Sequence, residues 1–364
     1  MSLDQLPLRE ELRGQQPYGA PQLDVPVQLN TNENPYPPSA AVVRDIAAAA
    51  AAAAASLNRY PDRECSALRA DLAAYLSSDS GVALTADQLW PANGSNEIMQ
   101  QLLQAFGGPG RTAVSFAPTY SMYPEYARDT HTHWVAGRRL DDFRLDLAAA
   151  TDLIAQHQPS VIFLASPNNP TGTALGLDEI QALLAIAPGM VIVDEAYGEF
   201  RRSGVPSACW LLAEHPRLVV TRTMSKAFAL AGGRLGYLAA SPAVVQAVQI
   251  VRLPYHLSAI SQAVARAALA NADELLGQVE TIRIERDATV AWLREHGFEV
   301  ADSDANFVLF GRFSDRHAVW QGLLQRGVLI RETGPDGWLR VSIGTPAEMQ
   351  QFRSALIDTV GDRW

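Results

Sequence analysis

The sequence predicts an α/β protein whose main sheet is largely parallel and carries helices on both faces. The first observation is that short apolar runs alternate with amphipathic stretches from about residue 90 onward. The strands are predicted at residues 113–116, 161–166, 190–197, 218–223 and 236–241. The helices between them are predicted at residues 96–106, 146–158 and 177–187. The second observation is that polar residues follow several of these strands, where such sheets bind ligands.

The two ends of the chain have a different pattern and predict separate parts of the molecule. Residues 242–296 are mostly helical in pattern, and strand-like runs with helices between and after them follow. This predicts a smaller α+β C-terminal domain over residues 256–364, after a large domain over residues 46–255. Residues 1–45 begin with an irregular stretch rich in Pro and Asn, and we expect this arm to pack with the small domain. The alanine-rich run near residues 40–56 predicts a helix, because alanine loses no side-chain entropy there.

Composition excludes several classes of protein. The formal net charge of −10 argues against a nucleic-acid or anionic-membrane surface. No apolar run is long enough to span a membrane, and the N-terminus lacks a signal-peptide pattern, so we expect a cytoplasmic protein without membrane or nucleic-acid partners. The two cysteines, Cys65 and Cys209, suit a reducing compartment. No Cys/His cluster has metal-ligand spacing, so no metal site is expected.

Polar side chains follow the strands that end near residues 166, 194 and 223. Taken singly, each has an ordinary explanation: Asp194 and Asn168 suit turns, and Ser95 with Asn96 suits a helix cap or an anion site. Because the carboxyl ends of parallel strands meet at one edge of a sheet, we expect these groups to converge there. The combination therefore predicts a binding site.

Lys226 is the only lysine among the 29 basic residues of the chain. A primary amine condenses with aldehydes and shifts its pKa readily, whereas a guanidinium stays protonated. Hydroxyls at Thr223 and Ser225 and the cation of Arg234 lie close by in the sequence and suit a phosphate. These features together predict covalent attachment of an aldehyde cofactor that carries a phosphate. Pyridoxal phosphate fits, since it needs an amine, a carboxylate for its ring nitrogen and a phosphate cradle.

Several separated motifs then resemble one family in order and spacing. They are SPNNPTG (166–172), DEAYGEF (194–200), SKAFALAGGRLGY (225–237), LNTNENPYPP (29–38), RYPD (59–62), NGSNE (93–97), FAPTYSMY (116–123), DANFVLF (304–310) and LRVSIGT (339–345). The chain resembles the fold-type I pyridoxal-phosphate-dependent aminotransferases, and within them the histidinol-phosphate aminotransferase family. This resemblance covers nearly the whole chain and implies a large domain with a mainly parallel sheet and a small α+β domain.

The resemblance implies a role for each cofactor residue. Lys226 would bind the aldehyde and move the substrate proton, and Asp194 would face the ring nitrogen. Tyr197 and Asn168 would bind the phenolic oxygen of the ring, and Tyr120 would stack on its face. The phosphate would be held by Ser95, Asn96, Thr223, Ser225, Arg234 and, from a second subunit, Tyr60. That last contact implies a homodimer with shared active sites.

For the substrate, the resemblance implies that Arg340 clamps a carboxylate or phosphate, with Arg331 assisting. Asn168 and the arm residues Tyr18, Glu33 and Asn34 would contact the substrate as well, the arm on the imidazole side. The implied reaction is transamination between L-histidinol phosphate and 2-oxoglutarate, which gives imidazole acetol phosphate and L-glutamate in histidine biosynthesis. The implied enzyme is thus a histidinol-phosphate transaminase.

Three alternatives stay open at this point. An aromatic amino-acid aminotransferase of the same subfamily would share every cofactor residue. A carbon–sulfur lyase or decarboxylase on the same fold would share most of them. A non-catalytic module that binds pyridoxal phosphate or a nucleotide is the alternative from another class, but the chain has no GxGxxG after an early strand and no added basic helix-turn-helix.

Overall fold

The computed structural model describes residues 5–361. The strands are β1 (Val27–Gln28), β2 (Leu89–Ala92), β3 (Thr112–Ala117), β4 (His133–Arg138), β5 (Val161–Ala165), β6 (Met190–Asp194), β7 (Leu218–Thr223), β8 (Gly236–Ala240), β9 (Glu299–Val300), β10 (Phe307–Gly311), β11 (Val328–Leu329) and β12 (Trp338–Ser342). The helices are α1 (Ala40–Ala54), α2 (Ser66–Ser80), α3 (Ser95–Phe106), α4 (Tyr123–Asp129), α5 (Leu147–His157), α6 (Leu177–Ile186), α7 (Pro242–Val251), α8 (Ala259–Ala270), α9 (Ala272–Glu295), α10 (Arg316–Gln325) and α11 (Pro346–Val360).

A seven-stranded sheet forms the centre of the molecule, with the strand order β2-β8-β7-β6-β5-β3-β4. Strands β3 to β7 run parallel to their neighbours within that group, while β8 is antiparallel to both β7 and β2. The predicted α/β class with a mainly parallel sheet is therefore confirmed. Every residue of β5, β6, β7 and β8 is buried, as expected for strands that are covered on both faces.

The hydrophobic core lies on both sides of this sheet. Val191 and Val193 belong to the apolar cluster on one face, while Ile192 between them belongs to the cluster on the other face. This alternation explains why the strand sequence is a continuous apolar run and not an alternating one. A third cluster surrounds the strands β10 and β12.

Two strands of the central sheet were not predicted from the sequence. Strand β2 contains Pro91 and lies at one edge of the sheet, where a missing N–H is tolerated. Strand β4 lies at the other edge and is half-exposed, so it shows no apolar run. The predicted strand over 190–197 ends earlier, at Asp194, because the backbone turns at Ala196 and Tyr197.

The C-terminal part contains a three-stranded antiparallel sheet in the order β12-β10-β9. The N-terminal arm joins this part of the molecule: β1 pairs in parallel with β11, and the backbone N–H of Ser342 donates to the carbonyl of Leu29 at 2.9 Å. The domain boundaries at residues 45 and 255 stay a prediction, since strand pairing does not define where a domain ends. Within residues 5–361, none of the helices combines the length and apolarity that crossing a bilayer requires.

Candidate active site

The carboxyl ends of β5, β6 and β7 open into a cavity of about 450 Å³. Asp194 is the last residue of β6, Thr223 is the last residue of β7, and Pro167 follows β5 closely. All three residues line the cavity, together with segments of the N-terminal arm and the loop after β11. The site thus forms where the parallel sheet was expected to bind a ligand.

Most of the predicted site residues meet in this cavity. Its lining includes Tyr18, Glu33, Ser95, Asn96, Tyr120, Asp194, Tyr197, Thr223, Ser225, Lys226, Arg234, Arg331 and Arg340. These side chains come from positions more than 300 residues apart in the sequence, so the convergence is a property of the fold.

Asp194 is a buried carboxylate with three hydrogen-bond donors. The hydroxyl of Tyr123 donates to Oδ2 at 2.9 Å, and the Thr221 hydroxyl and the Ala196 N–H donate to Oδ1 at 3.1 and 3.2 Å. Burial raises the pKa of Asp194, whereas these hydrogen bonds lower it. Tyr123 begins α4 three residues after Tyr120, and no role was predicted for it from the sequence. A carboxylate held in this way favours a cationic group beside it, such as a protonated ring nitrogen.

Lys226 lies in the cavity wall, and its Nζ donates to the carbonyl of Thr31 at 3.0 Å. Burial, and after it the nearby positive charge of Arg340, lower the pKa of Lys226 to about 8. An amine with this pKa is substantially neutral in mildly alkaline solution, where it can attack an aldehyde.

A group of side chains that suits an anion, here called the phosphate cradle, lies at the N-terminus of α3. Ser95 and Asn96 occupy the first turn, where free N–H groups and the helix dipole favour an anion. Arg234 adds a cation, and its Nη1 lies 3.4 Å from the Ser225 hydroxyl. Gly94 has a φ of +82°, and a Cβ built there would lie 2.6 Å from Nη2 of Arg234. The positive φ favours glycine at this position, and the absence of a Cβ also leaves room for the Arg234 guanidinium. Hydroxyls, free N–H groups and a guanidinium thus lie together and suit an anion such as a phosphate.

The phosphate cradle depends on a close approach between the backbone of β8 and the first turn of α3. A Cβ built on Gly236 would lie 2.2 Å from the backbone nitrogen of Ser95. Glycine at the start of β8 therefore lets the first turn of α3 settle directly on the sheet.

Arg340 is a buried cation that has no carboxylate partner among the residues that the structure describes. Its Nη1 donates to Oδ1 of Asn169 at 2.6 Å and its Nη2 donates to the carbonyl of Asn30 at 2.9 Å, while Nε is unpaired. Burial lowers the pKa of Arg340 to about 10. Arg331 lies beside it, joined to Arg340 through two backbone hydrogen bonds. Two cations without a carboxylate predict an anionic group of the substrate at this position.

Three predicted residues do not lie in this cavity. Asn168 is fully buried, because its amide donates to the carbonyl of Pro118 and to the hydroxyl of Thr171. The neighbouring Asn169 lines the cavity in its place. The structure therefore contradicts the contact predicted at Asn168 and offers Asn169 in its place, since the Pro-bracketed turn presents the second asparagine to the cavity and not the first.

The predicted substrate contact at Asn34 is also corrected. Its amide donates to the carbonyl of Ala227 at 3.1 Å and accepts the N–H of Tyr36, so Asn34 shapes the loop and does not line the cavity.

Tyr60 is 79% exposed, stacks on Tyr255 with 4.3 Å between ring centroids, and lies outside the cavity of its own chain. A partner subunit is therefore required for any contact between Tyr60 and a cofactor.

Asn32 was missed by sequence reasoning. It is 2% exposed, lines the cavity, and its Nδ2 donates to the hydroxyl of Tyr197 at 3.0 Å. It stands beside Glu33 in a run of polar residues, and only the loop geometry decides which of these side chains points inward.

A network of buried charges lies around Arg222 of β7 and includes carboxylates from α2 and from the segment that follows β6. Arg222 is completely buried and is paired with Glu195, Glu199 and Asp79, with the closest N–O distances between 2.7 and 3.1 Å. Arg201 also pairs with Glu195, at 3.0 Å. These carboxylates compensate the buried guanidinium, whose pKa is raised.

The fold and this site define an enzyme of the aminotransferase type. The sequence profile of the family "Aminotransferase class I and II" matches residues 25–356. The chain belongs to this family.

Individual proteins that are similar to this chain are aminotransferases as well. "Histidinol-phosphate aminotransferase 3" of Burkholderia lata is 63% identical over 360 residues, which covers 99% of this chain and 97% of the relative. The histidinol-phosphate aminotransferase of Thermobifida fusca is 64% identical with the same coverage. Among solved structures, histidinol-phosphate aminotransferase from Sinorhizobium meliloti in complex with pyridoxal-5'-phosphate has a TM-score of 0.80 at 24% identity, and covers 92% of this chain and 91% of that chain. A mutant of Thermus thermophilus aspartate aminotransferase has a TM-score of 0.78 at 25% identity, over 91% and 90%.

Proposed function

We propose that this protein is a pyridoxal-phosphate-dependent aminotransferase that transfers an amino group between L-histidinol phosphate and 2-oxoglutarate, in histidine biosynthesis. The observation that carries this proposal is the position of the only lysine, buried in one cavity with Asp194 and the phosphate cradle. The names of the relatives above 60% identity support the choice of substrate.

The residues of the cavity suit the cofactor in charge and shape. Bound pyridoxal phosphate supplies an electron-withdrawing ring that stabilises negative charge at the substrate carbon. Lys226 Nζ would hold the aldehyde carbon and afterwards move the proton at the substrate Cα. Asp194 would keep the ring nitrogen protonated, and Asn169 together with Tyr197 would bind the phenolic oxygen. Tyr120 would cover the ring face, and the cradle around Arg234 would bind the phosphate.

The substrates differ in where their negative charge lies. Glutamate carries a carboxylate on the reacting carbon, whereas histidinol phosphate carries its anionic group at the phosphate ester. A guanidinium can form paired hydrogen bonds with either group, so Arg340 serves both substrates, with Arg331 beside it. The arm residues Tyr18 and Glu33 line the cavity and contact the imidazole end of the donor.

We also propose that the protein is a homodimer with Tyr60 reaching the phosphate in the partner's site. Exposed apolar side chains near Tyr60 support this, since Ile250 is 84% exposed and Leu253 is 73% exposed in the single chain. The helix α7 that carries Ile250 leads directly into the segment of Tyr255, on which Tyr60 stacks. A cytoplasmic location is part of this proposal, and the free thiols of Cys65 and Cys209 support it.

The substrate assignment is tested by comparing kcat/KM for histidinol phosphate and for phenylalanine, each with 2-oxoglutarate, on one preparation. We expect a preference for histidinol phosphate of at least about 100-fold, since its doubly charged phosphate can pair with both Arg340 and Arg331 and its imidazole with Glu33, whereas phenylalanine brings a single carboxylate and an apolar ring. Arg331→Gln should lower kcat/KM for histidinol phosphate more than it lowers kcat/KM for phenylalanine. A preference for phenylalanine would move the assignment to the aromatic enzyme.

The shared site is tested with hybrid dimers. Lys226→Ala and Tyr60→Ala chains, each impaired alone, are mixed under conditions where subunits exchange. A hybrid has one site with Lys226 from one chain and Tyr60 from the other, so random exchange should restore about a quarter of wild-type activity. Mass spectrometry of differently tagged chains serves as the control for exchange. Demonstrated exchange without recovered activity would contradict the role of Tyr60.

A further inference from the structure

The hydroxyl of Tyr197 lies in the cavity wall between two side-chain amides. Nδ2 of Asn32 lies 3.0 Å from Oη, and Nδ2 of Asn169 lies 3.5 Å from it. An amide nitrogen and an amide oxygen have nearly the same shape, so the direction of the tyrosine proton depends on which end of each amide faces it. The surrounding groups decide this for both amides.

Ser342 fixes the orientation of Asn32. The backbone N–H of Asn32, which can only donate, lies 2.9 Å from Oγ of Ser342. The serine oxygen is therefore an acceptor there, and its own proton goes to Oδ1 of Asn32 at 2.8 Å. With Oδ1 facing Ser342, Nδ2 faces Tyr197. The reversed amide would leave the serine proton without this acceptor at a site where both side chains are at most 3% exposed.

Arg340 fixes the orientation of Asn169 in the same way. A guanidinium only donates, and its Nη1 lies 2.6 Å from the oxygen of the Asn169 amide. The nitrogen of that amide is left to face Tyr197. Among the residues that the structure describes, the hydroxyl of Tyr197 thus has two N–H neighbours and accepts from them, so its own proton points into the cavity.

The backbone around Asn32 is fixed by its conformation and by a hydrogen bond from Asn306. Its φ of +56° lies in the left-handed region, which asparagine tolerates better than most residues. Asn306 donates from Nδ2 to the carbonyl of Asn32 at 2.9 Å, which fixes the loop without touching the Asn32 side chain. Asn306 therefore offers a matched control for loop packing.

We infer that Asn32 and Ser342 are positioning residues that make the Tyr197 hydroxyl a fixed hydrogen-bond donor to the phenolic oxygen of the bound cofactor. This inference rests on the proposed function, because it requires pyridoxal phosphate in the cavity. Burial raises the pKa of Tyr197, so the proton to be donated is retained at neutral pH. A donor whose direction is set before the ligand arrives has no reorganisation to undergo on binding.

The test is a pH titration of the visible absorbance of the bound cofactor, with its affinity for the apoprotein measured in parallel. A hydrogen bond to the phenolic oxygen stabilises the form of the bound cofactor that has lost its proton. Removing the bond therefore raises the pH at the midpoint of the absorbance change. Asn32→Asp keeps the shape but offers a second acceptor, which takes the tyrosine proton. We expect it to raise the midpoint by about one pH unit and to weaken cofactor binding by about tenfold, as in Tyr197→Phe.

Further variants separate positioning from loop packing. Asn32→Gly removes the donor yet accepts the left-handed backbone, and Ser342→Ala frees the amide to turn over; both should raise the midpoint by a smaller amount. Asn306→Ser should leave the midpoint unchanged even if it lowers Tm. In a Tyr197→Phe background, Asn32→Gly should have no further effect on the midpoint.

The inference is overturned if Tyr197→Phe shifts the midpoint but Asn32→Asp and Asn32→Gly do not, or if Asn306→Ser shifts it as much as Asn32→Gly. It is also overturned if Tyr197→Phe itself causes no shift. A wild-type chain that shows no cofactor absorbance at all would instead refute the proposed function, and the inference with it.

Discussion

Lys226→Ala is expected to abolish transamination, with a fall in kcat of at least about 10⁴-fold, because we propose that the same amine binds the aldehyde and moves the proton. Lys226→Arg keeps the positive charge but cannot condense with the aldehyde, and we expect the same loss. Steady-state turnover and the visible absorbance of the bound cofactor measure the two functions. Turnover within about tenfold of wild type in either variant would contradict the assignment.

The pKa of Lys226 adds a second measurement on the wild-type apoprotein. The neutral amine is the nucleophile, and the pKa of about 8 is below the 10.5 of an ordinary lysine. The rate of cofactor attachment should therefore rise with pH, reach half of its maximum near pH 8 and level off about one to two pH units higher. A rate that still rose steeply above pH 9.5 would contradict a lowered pKa.

Because no second lysine competes, reduction with borohydride gives an unusually clean control for the Lys226 variants. The reduced adduct should appear on the peptide that contains residue 226, and should be lost in both variants. An adduct that persisted on another peptide at the same stoichiometry would assign the attachment elsewhere.

Asp194→Asn is expected to have the second largest effect, a fall in kcat of about 10³-fold. Its amide resembles the carboxylate in shape and can keep its place near Tyr123 and Thr221, but it has no charge with which to hold the ring nitrogen protonated. The affinity of the apoprotein for the cofactor should fall in parallel. Turnover with saturating cofactor, so that occupancy does not limit it, is the appropriate measurement.

Two controls distinguish the charge of Asp194 from its packing. A cofactor analogue methylated at the ring nitrogen carries the positive charge permanently, and should restore part of the activity of Asp194→Asn. Thr221→Val removes one donor to the carboxylate and keeps its charge, so we expect a loss of about tenfold or less. Equal losses in both variants, without rescue by the analogue, would mean that packing and not charge is responsible.

The sequence predicted the class of the fold because its strands are buried on both faces and are therefore continuous apolar runs. It did not predict β2 and β4, since the edges of the sheet are partly solvated or contain proline and lose that pattern. The positions of Asp194 and Thr223 followed from the same apolar runs, because both residues end a buried strand.

The parts of the site that lie on loops were harder to predict. Asn168 and Asn169 are adjacent and chemically identical, and only the path of the turn decides which one faces the cavity. Asn32 has a left-handed backbone and donates to Tyr197 from the arm, and no residue pattern predicted either property. Tyr123 was hidden for another reason: it contacts Asp194 from α4, and a tyrosine at the start of a helix is usually part of the core.

The charges around Arg222 have a consequence for the alignment of β6 and β7. Successive residues of a strand point to opposite faces, so Asp194 and Thr221 meet on the cofactor side while Glu195 and Arg222 meet on the other side. A slip of one residue between the strands would bring Arg222 beside Asp194, where it would neutralise the carboxylate that we propose faces the ring nitrogen. The slip would also leave Glu195 and Glu199 buried without Arg222, the cation that pairs with them. The buried ion pairs thus favour the correct alignment of β6 and β7 over a misaligned sheet that would be inactive. They do so before any cofactor binds.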